Sequence, residues 1–340
     1  MARTVLIDIN HPAHVHFFKN AYFELKKQGH NVVVTATLKE MNYSLMDRLG
    51  IDYIDLGFRG KSIFTKVLNV PLMAFKIARI VNKYKPDILM GIASYRICHG
   101  TIFKKCKKYI FTDTEHATEQ ILLFKPFATN IFTPDCFTKD LGKKQVKYSG
   151  YHELAYLHPN RFKPDPSILG EIGLSPTSRF FILRFVSWGA SHDIGHSGIK
   201  KEQKLELIQL LQNYGKVFIS SESSLPSELQ PYQLDISYEK IHHLLYYASL
   251  IVTEGATMAS ESALLGTPAI FVSTLKLGYL NDLVNNGLVY HFKNNKRLIV
   301  ETEEIAKRTL ESDSYQQKTQ QLIATKIDVT DYMVDLVNEL

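Results

Sequence analysis

The amino-acid sequence predicts an α/β protein made of two Rossmann-like domains, each built on a parallel sheet. Three observations predict this fold. The chain has 340 residues, which is enough for two cores of ordinary size. Short apolar runs rich in β-branched residues alternate with helical segments, as in βαβ units. The alternation stops over residues 151–176, a stretch that contains four prolines, and then starts again.

The first domain is predicted to cover residues 1–150. Val5–Ile9 is a predicted strand, residues 13–28 form a helix closed by Gly29, and residues 31–36 form a second strand rich in valine. The same rhythm continues, with predicted strands at 52–56, 87–91, 108–112, 130–133 and 147–150 and predicted helices at 40–49, 62–83 and 95–104.

Residues 151–176 are interpreted as the connection between the domains, because prolines and other turn formers replace the periodic pattern. The second domain is predicted over residues 177–328, and a terminal helix over residues 329–340 that docks on one of the domains. The elements expected in the second domain are strands at 180–185, 216–220, 250–253 and 268–272 and helices at 201–213, 239–248, 257–265 and 279–286.

The composition excludes several function classes. The net charge of +6 is too small and too scattered to predict nucleic-acid binding, although it suits a phosphate-bearing ligand. The three cysteines have no CxxC spacing, which predicts a reducing compartment and neither a disulfide framework nor a zinc site. Neither a leader-like start nor an apolar run of about 18 residues is found. We therefore expect a cytoplasmic protein.

A turn in the second domain carries a ligand-binding pattern. The predicted strand ending at Thr253 runs through Gly255 into a helix, and a helix N-terminus with unpaired N–H groups attracts an anion such as a diphosphate. Glu261 lies about one turn into that helix, where its carboxylate could accept hydrogen bonds from ribose hydroxyls. The alternative is an ordinary strand–turn–helix whose glutamate favours the start of the helix through the macrodipole.

The first strand ends in a turn with three histidines, His11, His14 and His16. Pro12 suits the first helical position, and Asn10 or His11 would be the N-cap, so His14 falls in the first turn. Imidazole there could act as a base or could bond a phosphate oxygen. A metal site is not expected, because helical geometry does not bring all three rings together and Asp8 is the one nearby carboxylate.

Residues 255–272 resemble the nucleotide-sugar motif of GT-B enzymes, notably the glucosaminyltransferase that completes lipid II and the UDP-N-acetylglucosamine 2-epimerases. The run from Asp8 to Phe18 resembles an uncharacterised prokaryotic GT-B-like family, and residues 113–117, 184–188 and 191–195 are also similar to it. This resemblance implies a GT-B fold, in which two Rossmann-like domains with parallel sheets face each other across a cleft. It also implies a nucleotide-sugar, with UDP-sugar expected, as co-substrate without a further cofactor.

The resemblance implies roles for particular residues. Glu261 would hold the ribose, and His14 would be the catalytic base, since a histidine occupies the matching place in the lipid II enzyme. Asp113, Glu115 and His116 would line the acceptor side and compete with His14 as the base. The other residues expected to bind the nucleotide are Arg184, Ser187, His192, Ile236, Gly255, Ala256, Thr257 and Ser260. For Arg184 the alternative is a structural ion pair with a carboxylate.

Glycosyl transfer is favoured over epimerisation. The epimerases carry Gly-Asp after the strand that matches residues 87–90, whereas this chain has Gly91-Ile-Ala-Ser94 there; Glu115 does resemble one of their acidic residues. We therefore expect an inverting, metal-independent glycosyltransferase that acts on a sugar or lipid-linked acceptor in cell-surface polysaccharide or glycoconjugate biosynthesis. The alternatives are an epimerase-like enzyme and a non-catalytic nucleotide-sugar-binding protein.

Residues 56–85 interleave large apolar side chains with lysines and arginines. Such a segment could rest on an anionic leaflet at the inner face of the cytoplasmic membrane and receive a lipid-linked acceptor. The alternative is a core helix with a solvated basic face.

Overall fold

The computed structural model describes residues 1–38, 41–58, 63–185, 199–221, 225–293, 296–309 and 314–340, with the side chains of residues 58 and 63–69 outside that description. The chain divides into two compact units. Unit 1 contains residues 1–161 and 326–340, and unit 2 contains residues 162–325. The boundary therefore lies within the stretch interpreted as the connection. No helix of the described residues is both long enough and apolar enough to cross a membrane.

Unit 1 is built on a seven-stranded sheet with the order β3-β2-β1-β4-β5-β6-β7, in which all neighbours are parallel. Its strands are β1 (Thr4–Ile9), β2 (Asn31–Leu38), β3 (Ile54–Phe58), β4 (Ile88–Ile92), β5 (Lys107–Phe111), β6 (Asn130–Pro134) and β7 (Gln145–Tyr148). Its helices are α1 (Pro12–Lys27), α2 (Asn42–Leu49), α3 (Ile63–Tyr84), α4 (Tyr95–His99), α5 (Thr118–Phe124) and α6 (Leu154–Leu157), joined by a C-terminal helix described below.

Unit 2 has a five-stranded parallel sheet with the order β12-β11-β10-β8-β9. Its strands are β8 (Phe180–Phe185), β9 (Lys216–Ser221), β10 (Leu250–Thr253), β11 (Ala269–Val272) and β12 (Val289–Phe292). Its helices are α7 (Ser167–Glu171), α8 (Lys201–Gln212), α9 (Ile241–Tyr247), α10 (Ala256–Leu264), α11 (Gly278–Asn285), α12 (Leu298–Thr309) and α13 (Ser314–Ile323).

The central strands are mostly apolar because helices cover both faces of each sheet. Val5, Leu6 and Ile7 of β1 are fully buried, and so are Phe181 and Leu183 of β8. The prediction of two α/β domains with parallel sheets is confirmed.

The last helix, α14 (Val329–Asn338), packs in unit 1 against α1 and α6. Asp328 caps it, accepting hydrogen bonds from the backbone N–H groups of Thr330 and Asp331. Arg161 Nε donates to Asp328 at 2.7 Å. This pairing of two residues far apart in sequence places residues 326–328 with unit 1, whereas the sequence pattern grouped them with the second domain.

Several elements differ from the predicted ones. β7 begins at Gln145 and ends at Tyr148, so both of its ends lie two residues before those of the predicted strand. Gly150 lies in the bend that follows the strand. Strand β12 and helices α5, α6, α7, α12 and α13 were not predicted. Helices α6 and α7 lie in the stretch that was interpreted as the connection. β12 has only four residues and a half-buried pattern, so its sequence gives little strand signal.

The topology fixes where a ligand is expected to bind. In open parallel sheets ligands bind at the carboxyl ends of the strands, where the strand order reverses. The order reverses between β1 and β4 in unit 1 and between β8 and β10 in unit 2. The histidine-rich turn follows β1, and the Gly255 turn follows β10, so both predicted site motifs stand at these positions.

Candidate active site

The histidine-rich turn of unit 1 is held by its own first residue. His11 is the N-cap of α1, and its Nδ1 accepts a hydrogen bond from Ala13 N at 3.1 Å, while Pro12 occupies the first helical position. His14 is half-buried in the first turn, with its ring centroid 5.9 Å from that of His11. His16 is buried and packs on Tyr156. The rings of His11 and His14 are therefore close to each other, whereas the His16 ring lies in different surroundings.

A buried ion pair lies beneath this turn. Arg96, in α4 after β4, donates through Nη2 to Asp8 Oδ2 at 2.8 Å, and the side chains are 2% and 0% exposed. Thr35 donates to Asp8 Oδ1 at 2.9 Å, and the Ser94 hydroxyl donates to Asp8 Oδ2. Arg96 also donates to Thr37 Oγ1. Asp8 therefore accepts hydrogen bonds from Thr35, Ser94 and Arg96, and none of these partners was predicted from the sequence.

Asp113, in the loop after β5, forms a second acid–base pair. Its Oδ2 lies 3.1 Å from His152 Nδ1, and its Oδ1 accepts a hydrogen bond from Thr114. Burial alone would raise the pKa of Asp113, but the adjacent His152 and the hydrogen bonds to the carboxylate outweigh it and lower that pKa to about 2. Asp113 therefore remains ionised at neutral pH and is a weak base.

His152 was not identified from the sequence. It follows β7, is 7% exposed, and packs against Phe17 of α1 with ring centroids 4.6 Å apart. Among the described residues its Nε2 has no hydrogen-bond partner, and the buried Tyr148 hydroxyl has none either. Burial, followed by the charge of Asp113, raises the pKa of Tyr148 well above its usual value. The one available signal was the polar pair His152–Glu153 directly after the last strand of the domain.

The other two predicted residues of this loop lie further out. Glu115 Oε1 accepts a hydrogen bond from Thr138 N at 3.2 Å, so this side chain is directed towards the β6–β7 connection. His116 is exposed. The structure thus links Asp113 to α1 through His152 and Phe17, whereas it does not bring His116 into that cluster.

In unit 2 the Gly255 turn leads into a helix without a side-chain cap. Gly255 is the N-cap of α10, and its N–H donates to Thr253 Oγ1 at 2.9 Å. Ala256 is half-buried and Thr257 is exposed. In the part of the chain that the structure describes, no side chain caps α10, so its first N–H groups are left for solvent or a ligand.

Glu261 lies on the second turn of α10 and is 7% exposed. His242 of α9, also buried, donates through Nε2 to Glu261 Oε1 at 2.9 Å. The preceding Ser260 is buried and donates back to Thr257 O, so it belongs to the helix rather than to an open surface. His242 was missed because a histidine within an apolar helix gives no distinct sequence signal.

Arg184 lies at the end of β8, in register with Thr253 on one side and Ser220 on the other. Its Nη1 donates to Ser220 Oγ at 3.0 Å. Ile236 is half-buried, just before a short 3₁₀ helix. The remaining predicted residues, Ser187 and His192, lie outside the described residues.

A buried lysine stands beside the same turn. Lys204 Nζ of α8 lies 3.8 Å from Glu254 Oε2, and Glu254 Oε1 accepts a hydrogen bond from Ile199 N at 2.6 Å. Burial lowers the pKa of Lys204, and the charge of Glu254 partly opposes this effect. Over the described residues, no three His, Cys, Asp or Glu side chains come together in a way that could hold a metal ion.

The solved structures to which this chain is similar share its two-domain fold. A putative UDP-N-acetylglucosamine 2-epimerase from Listeria monocytogenes superposes with a TM-score of 0.73 at 12% identity, covering 99% of this chain and 96% of that chain. The glycotransferase of kitacinnamycin superposes with a TM-score of 0.62 at 9% identity, covering 100% and 99%. At these identities the likeness shows the fold, which is the GT-B type that epimerases and glycosyltransferases share.

Sequence comparison gives the family. The chain is 21% identical over 307 residues to the uncharacterized protein MJ0665 of Methanocaldococcus jannaschii, which covers 87% of this chain and 89% of that protein. Residues 3–340 match the family described as "Protein of unknown function (DUF354)". The chain belongs to that family.

Proposed function

We propose that this protein transfers a sugar from a nucleotide-sugar, with UDP as the expected nucleotide, to a hydroxyl acceptor. The observation that carries the proposal is the Gly255 turn at the switch point of unit 2, which joins an uncapped helix N-terminus to the buried pair Glu261–His242. Anions bind at such helix termini, and a fixed carboxylate suits ribose hydroxyls.

Backbone N–H groups would hold the diphosphate of the donor, and side chains would hold the rest of the nucleotide. The N–H groups of Ala256 and Thr257 would bond the diphosphate, since the N–H of Gly255 donates to Thr253 Oγ1. Glu261, oriented by His242, would accept from the ribose. Arg184, which is in register with Thr253 at the end of the neighbouring strand, could turn from Ser220 towards the same charge. Ile236 would lie near the nucleobase of the nucleotide.

Unit 1 would supply the group that activates the acceptor. In a single displacement the acceptor oxygen forms a bond to the anomeric carbon as the carbon–phosphate-oxygen bond breaks, which inverts the configuration. The acceptor proton passes to His14, and the nucleoside diphosphate leaves with the bonding electrons. Asp113, held ionised by His152, is a better hydrogen-bond acceptor for the hydroxyl than a proton acceptor. No step requires a metal ion.

Epimerisation is the second candidate because Glu115 resembles an acidic residue of the epimerases and because an epimerase shares the fold. It requires groups that move protons at the sugar. The loop after β4 supplies none: Ser94 and Arg96 both bond Asp8, which is itself fully buried. This arrangement favours transfer.

Product analysis separates the candidates. The protein is incubated with UDP-sugars, with and without a panel of hydroxyl acceptors, and UDP and sugar products are quantified. We expect UDP release that depends on the acceptor, together with an inverted glycoside. Release of an isomerised UDP-sugar without acceptor would support epimerisation, and UDP binding without turnover would reduce the function to nucleotide-sugar binding.

A further inference from the structure

Unit 1 exposes large apolar side chains on one face, which is formed by α3, the turn after α4, and α5. Phe103 is 97% exposed, Leu122 is 67% exposed and Phe75 is 61% exposed. Leu72 of α3 and Ile102 of the turn after α4 are also exposed. Single exposed apolar residues are ordinary, but a cluster of aromatic and leucine side chains marks a surface that binds something. We call these five residues and their basic neighbours, defined below, the apolar-basic face.

The three elements form a continuous surface. Gly100, which follows α4, lies so close to α3 that a Cβ there would be 2.7 Å from Ala74 O. His99 Nε2 lies 2.9 Å from Leu123 O of α5, and the His99 ring packs on Phe127 at 5.1 Å. The exposed residues of α3 and α5 are therefore bridged by the end of α4, where Ile102 and Phe103 follow.

The surroundings of these side chains are strongly basic. Residues 70–107 contain eight lysines and arginines, of which Arg96 is buried and paired with Asp8, and a single acid, Asp87. Helix α5 adds one exposed acid, Glu119. Asp87 accepts a hydrogen bond from Thr4 N, so its charge is partly used within the fold. Arg79 and Lys83 extend the exposed side of α3 beyond Phe75. The apolar-basic face thus combines apolar side chains with an unbalanced positive charge.

Three of the lysines converge on one pocket. A cavity of about 360 Å³ is lined by Lys85, Lys104 and Lys105, by the acid Asp87, and by other groups such as Asn82 and Val81. Lys104 and Lys105 directly follow Phe103 in the chain, so the pocket adjoins the apolar cluster. Lysine is a point-charge donor suited to phosphate, and this placement fits a phosphate whose apolar remainder lies alongside Phe103.

We propose that the apolar-basic face docks on an anionic lipid bilayer, with the lysine pocket taking a lipid phosphate headgroup. Phe75, Phe103 and Leu122 would enter the interfacial region while the lysines remain at headgroup level. A second copy of this chain fits poorly, because a two-fold contact would place the same positive charges opposite each other. The charge of the face selects a negative partner.

The apolar-basic face includes part of residues 56–85, the segment expected to contact a membrane, and extends beyond it to the turn after α4 and to α5. Lys85 directly precedes β4, and Lys104 and Lys105 directly precede β5, so the pocket lies at the amino ends of these strands. The turns carrying His14 and Asp113 lie at the carboxyl ends, about 16 Å away for strands of this length. Docking would leave that edge of unit 1 uncovered, and it does not depend on the proposed glycosyl transfer.

Vesicle cosedimentation tests the proposal. The protein is mixed with vesicles of phosphatidylcholine, alone or with phosphatidylglycerol, at low and high salt. We expect binding that requires phosphatidylglycerol and weakens with salt. Binding should fall about 100-fold in the Lys85→Gln/Lys104→Gln/Lys105→Gln variant, given the typical contribution of a lysine near an anionic surface. It should also be lost in the Phe75→Ser/Phe103→Ser/Leu122→Ser variant.

A matched control removes three exposed lysines of unit 2, Lys163, Lys276 and Lys318, and should retain most of the binding. Equal loss in this control, or no binding of the wild type to anionic vesicles, would overturn the proposal. So would displacement by inorganic phosphate at constant ionic strength, which would make the pocket a site for soluble anions. Sedimentation velocity without lipid gives a further check: a wild-type dimer that the Phe75→Ser/Phe103→Ser/Leu122→Ser variant dissociates would reassign the face to self-association. Thermal melts verify that each variant folds.

Discussion

The two helices that follow the switch-point strands, α1 and α10, begin in opposite ways. At α1 the first donors are removed or used, because Pro12 has no N–H and His11 Nδ1 accepts from Ala13 N. At α10 the N-cap is Gly255, and no described side chain caps the helix. The difference indicates a division of labour: unit 2 offers backbone donors to an anion, whereas unit 1 presents side chains such as His14.

The buried acids near these two helices, Asp8 and Glu261, also differ in their hydrogen-bond partners. Asp8 lies within β1 and is saturated by Thr35, Ser94 and the permanently charged Arg96. Glu261 lies beyond its strand, on α10, and its described partner is the His242 side chain of α9. Asp8 therefore belongs to the architecture of unit 1, while Glu261 is placed where a ligand could compete for its hydrogen bonds.

Breaking the Asp8–Arg96 pair should have the largest effect. Arg96→Met leaves the Asp8 carboxylate buried without its cation, and loss of one partner of a buried ion pair costs about 3–5 kcal/mol. Chemical denaturation should show this loss in the free energy of unfolding. Arg297→Met, which breaks an exposed pair with Glu301, is the control and should have little effect. A small effect of Arg96→Met would mean that the pair is not structural.

Replacing Glu261 tests the nucleotide-binding role proposed for unit 2. Glu261→Ala removes a hydrogen-bonded carboxylate from the proposed ribose site, and hydrogen bonds to charged groups contribute about 1.5–3 kcal/mol, so UDP should bind about 10-fold to 100-fold more weakly. Isothermal titration calorimetry measures the change. Asp113→Ala, in unit 1, should leave UDP affinity unchanged while it lowers turnover. Equal losses in both variants would contradict the division of labour.

The sequence predicted the architecture well because buried parallel strands are nearly pure apolar runs. The Gly255 turn and the start of α1, with Asn10 or His11 as its N-cap, were also predictable, since glycine, proline and helix periodicity are local signals. The partners His152, His242 and Arg96 were not. Each forms its contact through tertiary packing across strands or helices, and no spacing in one sequence reports which strands become neighbours.

The Asp113–His152 pair predicts a pH dependence of stability. The pKa of Asp113 is lowered from 3.8 to about 2 in the folded protein. Its ionised form therefore contributes about 2 kcal/mol above pH 3.8, and this contribution is lost as the pH falls towards 2. Asp113→Asn should destabilise the protein by about that amount at pH 6 and progressively less at lower pH. Denaturation at several pH values checks this.

Asp52→Asn makes the same charge change at a side chain that is 94% exposed, and is the control. Its effect should be small at every pH. A destabilisation by Asp113→Asn that stays constant down to pH 2 would point to a packing defect instead of an ionised pair.

Changing the N-caps of α1 and α10 has the smallest expected effects and tests most directly how the two helix starts differ. His11→Ala removes the cap of α1 and should cost about 1 kcal/mol, which His11→Asn should largely restore. Gly255→Ser adds a capping side chain to α10, and the space permits it, since a Cβ there would meet only Thr253 Oγ1 at 3.4 Å. Stability should rise by a few tenths of a kcal/mol. UDP affinity should nevertheless fall, because the serine hydroxyl would accept the N–H bonds proposed for the diphosphate; unchanged affinity would place the diphosphate elsewhere.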